Sequence, residues 1–245
     1  MKPVVEIEGL TKMYKNNRGI QDVTMTVRQG DIYGFFGPNG AGKTTVMKIM
    51  AGLSRAQRGT VKLLGYDVAE QYEQAMSKVG VLIETAEVYS YMSGRKNLEL
   101  AAKFYPHVTS GRIDEVLEIV GLTPFQHEKA AGYSLGMKQR LGLAAALLSG
   151  PELMILDEPT NGLDIEGMVQ MRDIMMRLAR EQRITFLISS HLIHEMELMC
   201  NRIGIIHQGR LLCEASVPYL LEQWESLEAV YMHHIQEDRK VTLHA

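Results

Sequence analysis

The chain has 245 residues, enough for one large or two small domains with a substantial core. Hydrophobic residues make up 46% and charged residues 22%, the usage of a folded globular protein, which excludes a disordered tail or a fibrous repeat. Lysine and arginine number 26 against 29 acidic residues, a net charge of −3, so no overall positive field exists to hold nucleic acid or anionic lipid without a specific site.

Apolar residues alternate over 4–10 and 20–27, which predicts two half-buried strands paired antiparallel across a polar loop containing Lys12, Lys15, Asn16, Asn17 and Arg18. A short apolar run at 31–36 leads into Gly37-Pro38-Asn39-Gly40-Ala41-Gly42, and residues 43–51 have helical composition. Strands are predicted at 60–64, closed by Gly65, and at 79–83. Over 97–105 and 113–120 the apolar spacing turns helical, with Gly121 and Pro124 as stops. A further helix over 135–148 has Ser134 as its expected N-cap and Gly150-Pro151 as its end. Strand and helix then alternate: 153–156 is uniformly apolar, 165–180 amphipathic and 184–188 β-branched and aromatic, which implies parallel pairing. Residues 202–214 predict two short strands around His207-Gln208-Gly209-Arg210, and the remainder from Ser216 is mostly helical.

The longest apolar runs, such as 143–148, fall far short of the roughly 20 residues of a membrane-spanning helix. Glu6 and Glu8 interrupt the apolar segment that a secretory signal would need, so a cytoplasmic protein is expected. Cys200 and Cys213 lack metal-type spacing and are expected to be packing thiols. The 16 methionines, among them Met168, Met171, Met175 and Met176, read as adaptable helix packing, and His233, His234 and His244 as a solvated tail.

Gly37 to Thr44 matches G-x-x-x-x-G-K-[ST] completely, between an expected strand and an expected helix. Glycines let such a loop fold into a nest of N–H groups aimed at phosphate oxygens, with the positive end of the helix dipole behind it. Lys43 adds a mobile positive charge for β and γ phosphates, and the Thr44 hydroxyl is placed to ligate Mg²⁺. A glycine turn with an incidental lysine would not account for the strand before it. Leu153-Met154-Ile155-Leu156-Asp157-Glu158 supplies a buried strand ending in two carboxylates. Asp157 can hold Mg²⁺ directly or through water, and Glu158 can polarise the water that attacks the γ-phosphate. Acidic strand ends are common on protein surfaces; beside a complete phosphate loop the chemical reading is preferred.

With these segments the sequence resembles an ATP-binding cassette ATPase, the nucleotide-hydrolysing subunit of ABC transporters. Tyr133-Ser134-Leu135-Gly136-Met137 stands where the family has its L-S-G-G-Q signature, and Lys138-Gln139-Arg140 follows. Asn161-Gly162-Leu163-Asp164 resembles the D-loop, Ser189-Ser190-His191 the switch histidine, and Tyr14 falls where the family places an aromatic ring over adenine. The likeness spans roughly residues 4–214. It implies an α/β fold: a P-loop NTPase core with a mostly parallel sheet, an N-terminal antiparallel β subdomain and an inserted α-helical subdomain at about 90–150. One ABC ATPase domain would cover 1–215 and a short helical C-terminal extension 216–245.

The resemblance further implies catalytic roles for Glu158, His191 and Lys43, ATP contacts from Tyr14, residues 37–44 and Thr45, and Mg²⁺ ligation by Thr44, Asp157 and Glu84. Two cassettes pack head to tail in the family, so Ser134, Gly136, Met137 and Asp164 would touch the ATP held by the partner copy. A helix start suits that contact, because backbone N–H groups and the dipole both favour an anion.

Three positions depart from the family pattern. Glu84 replaces the Q-loop glutamine; its carboxylate could still ligate Mg²⁺ while adding negative charge near the γ-phosphate. Leu135 replaces the first signature glycine and Met137 the glutamine, which keeps the backbone donors and loses one side-chain contact. A similar Ser-Leu-Gly-Met-Lys-Gln-Arg run marks members resembling bacitracin-type and lantibiotic-immunity exporters. The implied function is an ATPase that dimerises on ATP and drives a separate transmembrane permease, exporting a peptide antibiotic or drug. It would be peripheral on the cytoplasmic face of the cell membrane, with no direct membrane insertion and no nucleic-acid partner. Residues 84–97, with Tyr89, Tyr91 and Met92, fall where the family docks a membrane-subunit helix, although aromatic packing in a surface loop would use the same residues. Two other readings stay open: a soluble or regulatory cassette without a transport role, and a cassette that binds ATP with impaired hydrolysis.

Overall fold

The computed structural model describes residues 2–16, 18–84 and 87–243, so Asn17, His244 and part of the 84–97 segment lie outside the described residues. The chain divides into two compact units, Met1–Met76 with Thr185–Ala245, and Ser77–Ile184.

In the first unit, β1 (Pro3–Met13) and β2 (Gly19–Arg28) pair antiparallel with Val5 opposite Val27 and Ile7 opposite Met25. Their alternation buries Val5, Ile7 and Leu10 from one strand and Ile20, Val23, Met25 and Val27 from the other. β3 (Ile32–Phe36) follows, then α1 (Lys43–Met50), and β4 (Arg58–Leu63) joins the free edge of β1 with the short β5 (Tyr66–Asp67) beside it. α2 (Tyr72–Met76) closes this segment.

The second unit holds β6 (Val79–Leu82), the helices α3 (Gly94–Ala102), α4 (Ser110–Ile119) and α5 (Leu135–Leu147), then β7 (Leu153–Asp157) and α6 (Ile165–Gln182). β6 and β7 are parallel, with Val79 opposite Leu153 and Leu82 opposite Leu156. A Cβ at Gly80 would overlap Met154 and the Ala146 carbonyl, so glycine there lets α5 lie close against β6. Three guanidinium groups satisfy carbonyls at helix ends: Arg112 donates to Leu147 O at 2.6 Å, Arg140 to Val120 O at 3.0 Å and Arg177 to Ile119 O at 2.6 Å. α3 begins before the expected 97 because Ser93 Oγ accepts from Lys96 N at 3.3 Å and starts the helix there.

The chain then returns to the first unit with β8 (Thr185–Ser190), α7 (Ile193–Met199), β9 (Arg202–His207), β10 (Arg210–Ser216), α8 (Val217–Gln223) and α9 (Leu227–Leu243). β3 runs parallel to both β8 and β9, and β10 pairs antiparallel with β9. A Cβ at Gly34 would stand 2.8 Å from Met196 Sδ and 3.0 Å from Cys200 Sγ, so α7 packs directly on β3. Burial pushes the Cys200 thiol well above its ordinary pKa, as expected for a packing cysteine. The observed architecture is the mixed α/β fold expected: an antiparallel N-terminal sheet, parallel-rich strands and a helical insertion. Among the described residues, no helix is long and apolar enough to cross a membrane.

Candidate functional site

The loop after β3 is held open by its glycines. Gly40 and Gly42 take φ of 80° and 110°, left-handed values that side chains disfavour. A Cβ at Gly37 would overlap the Ile206 carbonyl of β9, and one at Gly42 would meet Ile20 of β2. Ala41 N donates to Pro38 O at 3.1 Å, and α1 begins at Gly42 with no side-chain cap. Lys43 is 5% exposed, and its Nζ donates to Gly37 O at 2.6 Å and to Pro38 O at 3.3 Å. A buried ammonium must be hydrogen-bonded, and here the loop's own carbonyls hold it inside the curl. Asn39 and Gly40 lie at the exposed rim, and Thr44 and Thr45 are half-buried in the first turn of α1. An uncapped helix start, a buried ammonium and glycines without room for Cβ atoms fit a polyphosphate, and the hydroxyl of Thr44 fits a hard cation.

Parallel pairing brings a second predicted residue to this end of the strands. Phe36 is opposite Ser190, and Gly37 N donates to Ser190 O at 3.3 Å, so His191, the residue after β8, emerges beside the loop. Tyr14 follows β1, 43% exposed, with its N–H donating to Arg18 O at 2.7 Å and Lys12 Nζ 5.4 Å from its ring centroid.

In the second unit, Asp157 ends β7 with 3% exposure, and Glu158 follows it at φ 50°. Glu84, beyond β6, has φ 64°. The β6–β7 register places Glu84 and Glu158 level at the carboxyl ends of adjacent parallel strands. Left-handed backbone at a non-glycine residue costs on the order of 1–3 kcal/mol and clusters at functional positions. Glu84 and Glu158 share it side by side at these strand ends.

Ser134 caps α5, its Oγ accepting from Met137 N at 3.2 Å, and Asp164 caps α6, its Oδ1 accepting from Gly167 N at 2.8 Å. A Cβ at Gly162, φ 75°, would lie 3.2 Å from Leu135 Cδ2, so the signature and D-loop segments touch. A Cβ at Gly136 would come only within 3.8 Å of Leu163, so packing inside this unit does not demand a glycine there. Tyr89 and Tyr91 are both exposed, their rings edge to face at 5.9 Å.

The sequence profile described as ABC transporter matches residues 20–161, more than half of the chain. The chain is 46% identical over 212 residues to the ABC transporter ATP-binding protein YhcH of Bacillus subtilis, a match covering 86% of this chain and 70% of that protein. The chain belongs to the ABC transporter ATP-binding family. It is 44% identical over 223 residues to the bacitracin transport ATP-binding protein BcrA of Bacillus licheniformis, covering 90% of this chain and 72% of that one. A solved ATP-binding subunit of an ABC transporter superposes with a TM-score of 0.82 at 27% identity, covering 95% of this chain and 99% of that one. As a member, the chain is an ATP-binding and ATP-hydrolysing subunit of a transporter.

Within this ABC ATPase, the first unit gathers Lys43, the glycine loop and His191, and the second gathers Glu84, Asp157 and Glu158 at one strand edge and Ser134, Gly136, Met137 and Asp164 at two adjoining helix starts. Sequence reasoning missed Gly209. Its N–H donates to Ala41 O at 2.9 Å, and its carbonyl accepts from Gln21 N at 2.8 Å, which ties the β9–β10 turn to the phosphate loop and to β2. The Gln208-Gly209 pair was legible as a turn; its partner was not.

Proposed function

We propose that this chain is the cytoplasmic ATPase subunit of an exporter for a peptide antibiotic or related drug. The observation that carries the reading is the phosphate loop, with Lys43 already turned into it and held by the Gly37 and Pro38 carbonyls. On binding ATP, Lys43 exchanges those carbonyls for β and γ phosphate oxygens, and the backbone N–H groups of residues 42–45 take the rest of the phosphate charge. Tyr14 stacks on the adenine ring. Thr44, Asp157 and Glu84 are the residues that would hold Mg²⁺, which would supply positive charge to neutralise the β and γ phosphates. Glu158 accepts a proton from the attacking water, and His191 donates to a γ-phosphate oxygen.

The partner is a second copy of the chain, packed head to tail, whose Ser134, Gly136, Met137 and Asp164 contact the nucleotide held by the first. Gly136 supports this, because nothing within its own unit requires it to lack a side chain. A separate transmembrane permease holds the cargo and keeps the ATPase on the cytoplasmic face of the membrane, with exposed Tyr89 and Tyr91 in the docking segment. Residues 1–215 form the ABC ATPase domain and 216–245 an extension. The bacitracin transport role of BcrA supports the peptide substrate.

Phosphate release by purified protein, alone and with its permease, tests the reading: wild type turns over ATP and Glu158→Gln binds it without turnover. Equal rates for both would overturn the role of Glu158. Cells lacking the chain should become more sensitive to bacitracin-like peptides, and unchanged sensitivity would remove the substrate assignment.

A further inference from the structure

The helix α9 meets elements that adjoin the phosphate loop at three places, all within the first unit. Tyr231 packs edge-on against Phe36, the last residue of β3 before Gly37, with ring centroids 5.1 Å apart. Leu227 N donates to Glu197 Oε2 at 3.2 Å, tying the start of α9 to α7, the helix that follows His191. Asp238, with a side chain only 9% exposed, pairs with Arg210 and lies with Oδ2 3.7 Å from His207 Nδ1. Arg210 and His207 flank Gln208-Gly209, so the carboxylate that pairs with Arg210 grips one end of the turn that bonds the phosphate loop and lies near the other.

The turn has little freedom to absorb a shift. Gly209 stands at φ 79°, and a Cβ there would overlap the Gly19 carbonyl, so the turn lies directly on the start of β2. From it, one hydrogen bond runs to Ala41 O and another comes from Gln21 N. A carboxylate withdrawn from water stays where the guanidinium holds it, and loss of its charge releases the Arg210 flank of the turn.

We propose that Asp238 is a positioning residue for nucleotide binding: by holding Arg210 it seats Gly209 against Ala41 and fixes the curl of the phosphate loop. The inference rests on the ATP reading given above. It makes α9 a handle on nucleotide affinity, because displacement of the helix loosens the loop, and by reciprocity nucleotide binding tightens α9.

The test uses the full chain with Asp238→Asn, Arg210→Gln and Asp238→Glu, measuring ATP affinity by calorimetry together with KM, kcat and melting temperature. Arg210 is half-exposed, so its variant keeps the fold even where Asp238→Asn weakens it. The expected result is a KM and Kd for ATP raised about threefold to tenfold in Asp238→Asn and Arg210→Gln, with kcat within about twofold, and recovery in Asp238→Glu. Unchanged KM and Kd in both neutral variants overturn the proposal, and so does a loss of melting temperature and kcat with KM intact. A wild-type chain that takes up no ATP overturns the phosphate-loop reading, and that arm is read before any variant.

Discussion

Two helix starts in this molecule are assigned to phosphate, and they are built differently. α1 begins at a left-handed glycine, Gly42, with no side-chain cap, behind a loop that already contains a buried ammonium. α5 begins at Ser134, whose hydroxyl accepts from Met137 N at 3.2 Å and completes the helix end from within. The same dipole stands behind both, but only the first lacks a side-chain cap and so has more to gain from an anion. On the proposed reading the difference separates primary binding from completion: α1 would grip nucleotide in a single copy, while α5 would exchange an existing cap for a phosphate brought by another copy. That reading predicts that ATP binding precedes dimerisation.

The comparison is sharpened most by Glu158→Gln. Removing the proton acceptor should lower turnover by about 10³-fold while leaving both helix starts intact, so gel filtration should show a dimer only with MgATP. A variant that stays monomeric with nucleotide would break the assignment of α5 to a partner's phosphate. Next in size is Lys43→Ala, expected to weaken ATP binding by about 10²-fold in calorimetry, since it removes the one charge inside the loop. Gly42→Ala places a Cβ at φ 110° against Ile20 and should cost about 1–3 kcal/mol in denaturant unfolding, with weaker ATP binding as the loop shifts. The smallest effect belongs to Ser134→Ala, which loses a helix cap worth about 1 kcal/mol in thermal unfolding and slows turnover while single-copy ATP affinity stays the same.

How far the sequence could be read follows the same contrast. The phosphate loop was legible because its chemistry is local: glycines, a lysine and a threonine at fixed spacing between a strand and a helix. Ser134 was legible as a cap for the same reason, and Asp164, expected to face a partner's nucleotide, also caps α6 through Gly167. The antiparallel pair β1–β2 followed from alternation. α7 was not foreseen, since it is short and starts at Leu192 without a side-chain cap, and five-residue α2 gives too little periodicity to register. The left-handed backbone of Glu84 and Glu158 leaves no mark in composition, because glutamate is not a residue type that favours it. Gly209 and Asp238 act on a loop 168 and 197 positions upstream at Ala41, differences in residue number that only the fold can close.

The most direct measurement is calorimetric titration of MgATP into dilute wild type, Ser134→Ala and Lys43→Ala. Wild type and Ser134→Ala should bind with equal affinity and Lys43→Ala far more weakly. Binding abolished by Ser134→Ala and preserved in Lys43→Ala would contradict the assignment of primary nucleotide binding to the start of α1.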